Sequence, residues 1–229
     1  MNKNVINNLS VLTYNTITMD LRLKHNASML VAGPTQSGKT TFIRKLIDYR
    51  SILFDKPPNQ VYWFYGIYQP KLHEDLRRLG AHVEEGLTGL DQVKPNSLVV
   101  IDDLMNEVNK SGSGGVTNLF TRVAHHKNCF VILATQNLFS QGKDSVTQRL
   151  NTQYMVLFKN PHDSLQIRIL GSRMFPGKAN FLPRVFQDAT SRPHGYLLID
   201  SVQNTDDSIR LRTCIFPDEY PMITYQHKL

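Results

Sequence analysis

Short apolar runs alternate along this chain with stretches in which apolar residues recur three or four positions apart. Ser28–Ala32 (SMLVA), Gln60–Tyr65 (QVYWFY), Ser97–Ile101 (SLVVI), Cys129–Ala134 (CFVILA) and Gln153–Phe158 (QYMVLF) have the length and composition of strands buried on both faces. Between the first two, Phe42, Leu46 and Tyr49 share one face of a helix predicted from Lys39 to Tyr49. Pro57 and Pro58 break that pattern. Leu72–Leu79 reads as a short charged helix and Ala81–Val83 as a small strand, and a further helix is expected from Val116 to His126. Strands alternating with helices predict an α/β fold with a mainly parallel central sheet and helices on both faces. After Asn160 the rhythm changes. His162–Ser172 and Ala179–Asp188 read as helices, and Tyr196–Asp200 and Ile209–Cys214 as strands joined by a polar turn at 203–208. With no long Gly/Ser/Pro linker, residues 1–229 read as one domain. It has N-terminal strands in 1–27 (one or two within Thr13–Lys24), a core over 28–160 and a small C-terminal α+β extension over 161–229.

The composition narrows this picture. The 229 residues carry 26 Lys and Arg against 19 Asp and Glu, a net charge of +7, which suits a partner that is a polyanion. No apolar run is long enough to span a bilayer. The start MNKNVINNLS lacks a basic segment followed by an apolar one, so secretion is not expected. Cys129 and Cys214, 85 positions apart, form neither a disulfide framework nor a metal cluster, which fits a reducing compartment.

The candidate chemistry lies in the turn after the first core strand. Gly33, Pro34, Thr35, Gln36, Ser37, Gly38, Lys39 and Thr40 match the phosphate-binding pattern GxxxxGK[ST] in full, and Thr41 follows. Glycines let successive backbone N–H groups curl toward phosphate oxygens, and the helix behind directs the positive end of its dipole to the same place. Lys39 is expected on the β- and γ-phosphates and the Thr40 hydroxyl on Mg²⁺. Sixty-three residues after Lys39, the apolar run ending in Ile101 gives way to Asp102 and Asp103, a Walker B pattern. Acids at a strand's C-terminal end lie where open α/β sheets bind ligands. Asp102 is the expected partner of Mg²⁺, and Asp103 is the candidate to orient and deprotonate an attacking water. Consecutive acids argue for hydrolysis over transfer to a small acceptor, and the chain has no N/T-K-x-D tetrad for reading guanine.

The strand at Cys129–Ala134 runs into Thr135 and Gln136. If that strand lies between the other two, Gln136 sits beside the γ-phosphate. Charge developing in the transition state also needs a cation, commonly an arginine from a neighbouring subunit, and Arg122, Arg149 and Arg192 are the candidates. His125 and His126 lack a third ligand at suitable spacing, and Trp63 with its aromatic neighbours reads as core rather than a base-stacking platform. The flexible stretch Lys110–Gly115 (KSGSGG) occupies the position where ring ATPases often carry a pore loop.

Together, VAGPTQSGKTTF, SLVVIDDL and FVILATQNLFSQGK resemble the FtsK–HerA superfamily of DNA-pumping ATPases. The nearest likeness is to genome-packaging ATPases of the Polinton/Maverick, adintovirus and virophage kind, with pox-like ones more distant. NTQYMVLFKNPHD and DATSRPHGYLLID extend it to about Asp200. The resemblance implies a RecA-like (ASCE) P-loop core with strand order 5-1-4-3-2 and a homo-oligomeric ring, pentamer or hexamer. It further implies ATP-driven packaging of double-stranded DNA into a preformed capsid at virion assembly sites inside a host cell, with capsid proteins as further partners and no membrane. By that likeness Gly38, Lys39 and Thr40 hold the nucleotide, Asp102 the metal, Asp103 the water, and Gln136 senses the phosphate. Many relatives carry glutamate where this chain has Asp103, one methylene shorter.

About seventy residues follow the core and contain no nuclease-type carboxylate cluster, so the expectation is a pump that does not cut. Lys110, Lys143, Arg168, Arg173, Lys178 and Arg184 are candidates for gripping phosphates without reading sequence. Two other readings stand beside this one: a P-loop nucleoside or small-molecule kinase, and a non-catalytic module that binds nucleotide for assembly.

Overall fold

The computed structural model describes residues 1–6, 12–14, 17–104, 123–124, 127–136 and 152–227. The core strands are β4 (Ser28–Ala32), β5 (Gln60–Tyr65), β6 (Ala81–Glu85), β7 (Ser97–Asp102), β8 (Phe130–Thr135) and β9 (Tyr154–Phe158). All pairings among them are parallel, in the order β9-β4-β8-β7-β5-β6. Leaving out the edge strand β6 and counting from β4, this is the expected 5-1-4-3-2. The strand ending in Gln136 therefore does lie between the strand that feeds the P-loop and the strand that ends in the acids.

The apolar runs are explained by two cores, one on each face of the sheet. Alternate residues such as Met29, Val31, Val100 and Ile132 enter one cluster with Phe42, Ile43 and Leu46. Their neighbours Leu30, Val99, Val131 and Leu133 enter the other with Leu182 and Val185. Both sets are buried, so these strands show no polar alternation. Helix α1 (Lys39–Asp48) covers the first face, aided by the short α2 (Arg50–Leu53) and by α3 (Pro70–Arg78), which buries Leu76. Helices α4 (Ser164–Met174) and α5 (Phe181–Ala189) cover the second. They pack closely because residue 171 is glycine: a Cβ there would come within 2.9 Å of the Leu182 Cβ.

Beyond β9 the same sheet continues with antiparallel strands. β10 (Tyr196–Asp200) pairs with β9, then come β11 (Leu211–Thr213), β12 (Met222–Gln226) and finally β1 (Asn2–Ile6). The C-terminal extension is thus an extension of the sheet itself, closed at its edge by the N-terminal strand. A separate hairpin pairs β2 (Leu12–Tyr14) with β3 (Ile17–Met19). A buried ion pair ties the new strands to the segment before the core. Arg212 on β11 donates to Asp200 on β10 at 2.5 Å and to the carbonyl of Leu21 at 2.6 Å.

Some predicted bounds shift, and one strand is new. The helix expected from His162 begins at Ser164, after a 3-10 turn over Pro161–Asp163 in which the His162 N–H donates to the Asn160 side chain. The strand expected from Ile209 shortens to Leu211–Thr213 because Asp207–Ile209 form a 3-10 turn. The strand at Met222–Gln226 was not foreseen. The helix expected over 116–126, apart from the buried pair Val123 and Ala124, lies outside the described residues. So do the KSGSGG loop and the two adjacent histidines.

Candidate functional site

The site is built on the C-terminal ends of β4, β7 and β8. After Ala32 the chain leaves β4 with one more sheet-like bond, from Gly33 N–H to the carbonyl of Thr135 (3.2 Å). Gly33 must be glycine, since a Cβ there would stand 2.7 Å from both the Phe158 Cβ and the Ser37 Oγ. The loop then turns through Gln36 and Gly38, both at positive φ (64° and 110°), a conformation that glycine adopts without strain. Helix α1 starts from Gly38 with no side-chain cap, and its first intrahelical bond runs from Phe42 N–H to the Gly38 carbonyl (2.9 Å). The N–H groups of the first turn therefore have no carbonyl one turn behind them and are directed at the loop's mouth. An anion is the natural complement of that arrangement.

Lys39 folds back across the loop, its Nζ donating to the carbonyls of Gly33 (2.7 Å) and Pro34 (3.0 Å). Burial lowers the Lys39 pKa, and the negative charges of Asp103 and Asp102 act in the opposite direction. The lysine thus feels both acids across the intervening strand.

The two aspartates differ sharply. Asp102 is the last residue of β7 and is 8% exposed. Burial, reinforced by the charge of Asp103, pushes its carboxyl up to about 6, while Lys39 pulls the other way. Asp103 takes a left-handed conformation (φ 54°), which aspartate tolerates better than most residues. The turn places it on the exposed side of the strand end. Gly66, after β5, braces that turn: its N–H donates to the Asp102 carbonyl at 3.0 Å, and a Cβ on it would press within 2.8 Å of the Asp103 carbonyl. Asp102 fits a metal partner, because a cation restores the charged form that burial disfavours. Among the described residues there is no cluster of three or more His, Cys, Asp or Glu suited to holding a metal by itself.

Gln136 is exposed directly beyond β8. Arg122 and Arg149 lie outside the described residues. Arg192 is exposed in the turn before β10. Trp63 is fully buried in the core, as its strand context predicted. Among the DNA-grip candidates, Lys110 and Lys143 lie outside the described residues. Arg168, Arg173, Lys178 and Arg184 are all exposed on α4, α5 and their connection. None of these four makes a salt bridge among the described residues. No helix of the described residues is long and apolar enough to cross a membrane.

Sequence reasoning singled out Arg192 but not the approach of its loop, Ser191–Gly195, to the P-loop; the antiparallel strand β10 carries that loop to the same sheet edge. His194 Nδ1 lies 3.2 Å from the Ser37 carbonyl. The space left by the missing Cβ of Gly38 is bounded by the His194 Cβ and ring at 3.3 Å. No local signal announces a contact spanning 157 residues.

A model of the FtsK/SpoIIIE family matches residues 3–74, which take in β4, the P-loop, α1 and β5. The FtsK–HerA likeness read from the motifs is borne out by that match. No curated protein matches the chain in sequence. Among solved structures, the chain is similar to B204, the DNA-packaging ATPase from Sulfolobus turreted icosahedral virus. The TM-score is 0.51 at 12% identity, over 78% of this chain and 94% of that one. At such identity the likeness is one of fold, and it bears out the RecA-like α/β architecture. The genome-packaging NTPase B204 of Sulfolobus turreted icosahedral virus 2, in complex with ATP-gammaS, gives a TM-score of 0.48 at 14% identity, over 82% and 95% of the two chains.

Proposed function

We propose that this protein is an Mg²⁺-dependent ATPase that works as a homo-oligomeric ring, a pentamer or hexamer, and drives double-stranded viral DNA into a preformed capsid. The observation that carries the reading is the arrangement at one sheet edge. A P-loop with its lysine faces a buried and an exposed aspartate, and the strand between them ends in glutamine. In this reading residues 33–41 cradle the phosphates, with the N–H groups of 38–41 turned toward them, and Lys39 exchanges its loop carbonyls for phosphate oxygens. Thr40 and Asp102 hold Mg²⁺, which when bound neutralises phosphate charge. Asp103, exposed at the end of the strand, orients and deprotonates the attacking water, while Gln136 contacts the γ-phosphate or that water. An arginine completes the charge stabilisation, with Arg122, Arg149 and Arg192 as the candidates. The exposed, unpaired Arg168, Arg173, Lys178 and Arg184 would offer a phosphate-binding face.

The site of action follows from the same reading: virion assembly sites within a host cell, with capsid proteins as docking partners. The test is phosphate release from ATP with and without duplex DNA. Turnover that rises with duplex DNA and needs no small acceptor supports the proposal. Turnover that requires an acceptor molecule overturns it in favour of a kinase, and ATP binding without turnover, DNA present, in favour of an assembly module.

A further inference from the structure

We infer that the loop Ser191–Gly195 and the cleft beside it form the seat for the nucleoside of the nucleotide whose phosphates the P-loop holds. The inference rests on the reading of residues 33–41 as a phosphate cradle. It starts from the order of strands. The acids on β7 lie to one side of β4, with β8 between, so the metal-bearing end of a triphosphate is drawn toward that side. The sugar and base must then leave on the other side, where β9 and β10 lie. Because β10 runs antiparallel to β9, it is the start of β10 that reaches the ligand edge. The loop placed there is Ser191–Gly195.

This loop is held in a defined shape. Gly195 N–H donates to the Arg192 carbonyl at 3.0 Å, and a Cβ at residue 195 would stand 2.7 Å from the Ala189 carbonyl. His194 adopts φ 57°, unusual for a residue other than glycine and a mark of over-determined geometry. The turn lays His194 against the P-loop at Ser37 and Gly38 while leaving Arg192, Pro193 and His194 exposed.

Beside the loop opens a cleft of about 580 Å³, within the range that takes a small ligand. Arg192, Pro193 and His194 form one side of its lining, and Asp188, Asp218 and Glu219 contribute acids. The carboxylates are already engaged: Asp188 with Lys3 and the Tyr225 hydroxyl, Asp218 and Glu219 with Lys45 of α1. With three acids against two cations, Lys3 and Arg192, in its lining, the cleft does not suit a further phosphate. It suits an uncharged group that is flat and rich in hydrogen-bonding atoms. A planar guanidinium, a proline ring and an imidazole on one rigid turn supply surfaces for stacking a base. The carboxylates supply acceptors for ribose hydroxyls or an exocyclic amine.

The test compares two ligands that share the phosphate cradle but not the nucleoside. Affinities for Mg²⁺–ATP and for Mg²⁺–tripolyphosphate are measured by calorimetry on the full chain and on His194→Ala and Arg192→Ala. The expected result is a loss of about three- to thirty-fold for ATP, the range of a stacking or cation–π contact, with tripolyphosphate unchanged. A selective loss in either variant supports the seat. Arg192→Ala guards against a merely structural effect, because Arg192 makes no hydrogen bond to the P-loop among the described residues; if Arg192 were instead the arginine that stabilises phosphate charge, tripolyphosphate would be lost together with ATP. ATP affinity unchanged in both variants, or equal losses for both ligands, overturns the inference. Failure of the unaltered protein to bind tripolyphosphate is a different result, and it overturns the cradle itself.

Discussion

Asp102 is asked to do two opposed things: to fill the buried end of a strand and to carry a negative charge. Its carboxyl titrates at about 6, against an ordinary value of 3.8, so the free folded protein holds a proton there that the unfolded chain releases. Between those values the native state binds more protons, and this contribution to stability therefore grows as pH falls and is lost as pH rises through about 6. At 1.36 kcal/mol per unit the cost of ionising it above pH 6 is roughly 3 kcal/mol. Asp102→Asn should accordingly raise the stability of the nucleotide-free protein at pH 8 by up to about that amount, an advantage that shrinks toward pH 4. Urea unfolding of both proteins across that range measures it. The same proton competes with a metal, so Mg²⁺–ATP affinity should fall as pH drops below 6. Lys39→Ala removes two hydrogen bonds to loop carbonyls and the charge meant for the phosphates, and should weaken ATP binding by roughly ten- to hundred-fold. Asp103→Asn keeps the turn and removes only the charge. It should bind ATP like the parent while turnover falls by about a hundred-fold or more, as equilibrium binding and phosphate release on the same preparation would show.

At the scale of elements, what could be read in advance was what burial and phosphate chemistry impose locally. Ser28–Ala32 and Gln60–Tyr65 are legible because strands covered on both faces become unbroken apolar runs. The P-loop is legible because each of its fixed residues answers a local backbone demand, as the positive φ at Gly38 shows. β1 and β12 were not legible. Asn2–Ile6 and Met222–Gln226 mix polar and apolar residues, and they become strands only because each completes the other at the sheet's edge. The loop carrying His194 escaped for a related reason: its function depends on the antiparallel return of β10, which no spacing in the chain encodes. That return is secured by the buried pair Asp200–Arg212, each at most 3% exposed. Removing one partner strands the other charge in the core, so Asp200→Ala should cost about 3–5 kcal/mol in denaturant unfolding, more than a surface ion pair such as Glu74–Arg78.

For the whole molecule, a sheet widened by the antiparallel return places the P-loop edge, the His194 loop and the helix pair α4–α5 on one scaffold. The four exposed cations on that pair bear on how the protein would hold a polyanion. If they contact DNA phosphates, affinity should fall steeply with salt, and each cation neutralised should reduce the slope of log K against log[salt] by about 0.9. Fluorescence anisotropy of labelled duplexes of unrelated sequence, with Arg173→Ala and Lys178→Ala singly and together, measures this. Equal losses on every sequence are expected, since phosphate contacts carry no base information.

A crystal structure of the protein grown with Mg²⁺ and a nonhydrolysable ATP analogue probes the cleft between the P-loop and the paired aspartates most plainly. The expected structure has a triphosphate cradled by residues 33–41, with Thr40 and Asp102 as the metal's partners and Lys39 moved from its carbonyls onto phosphate oxygens. A nucleotide bound elsewhere, or a P-loop left with Lys39 still on Gly33 and Pro34 at saturating analogue, would contradict it.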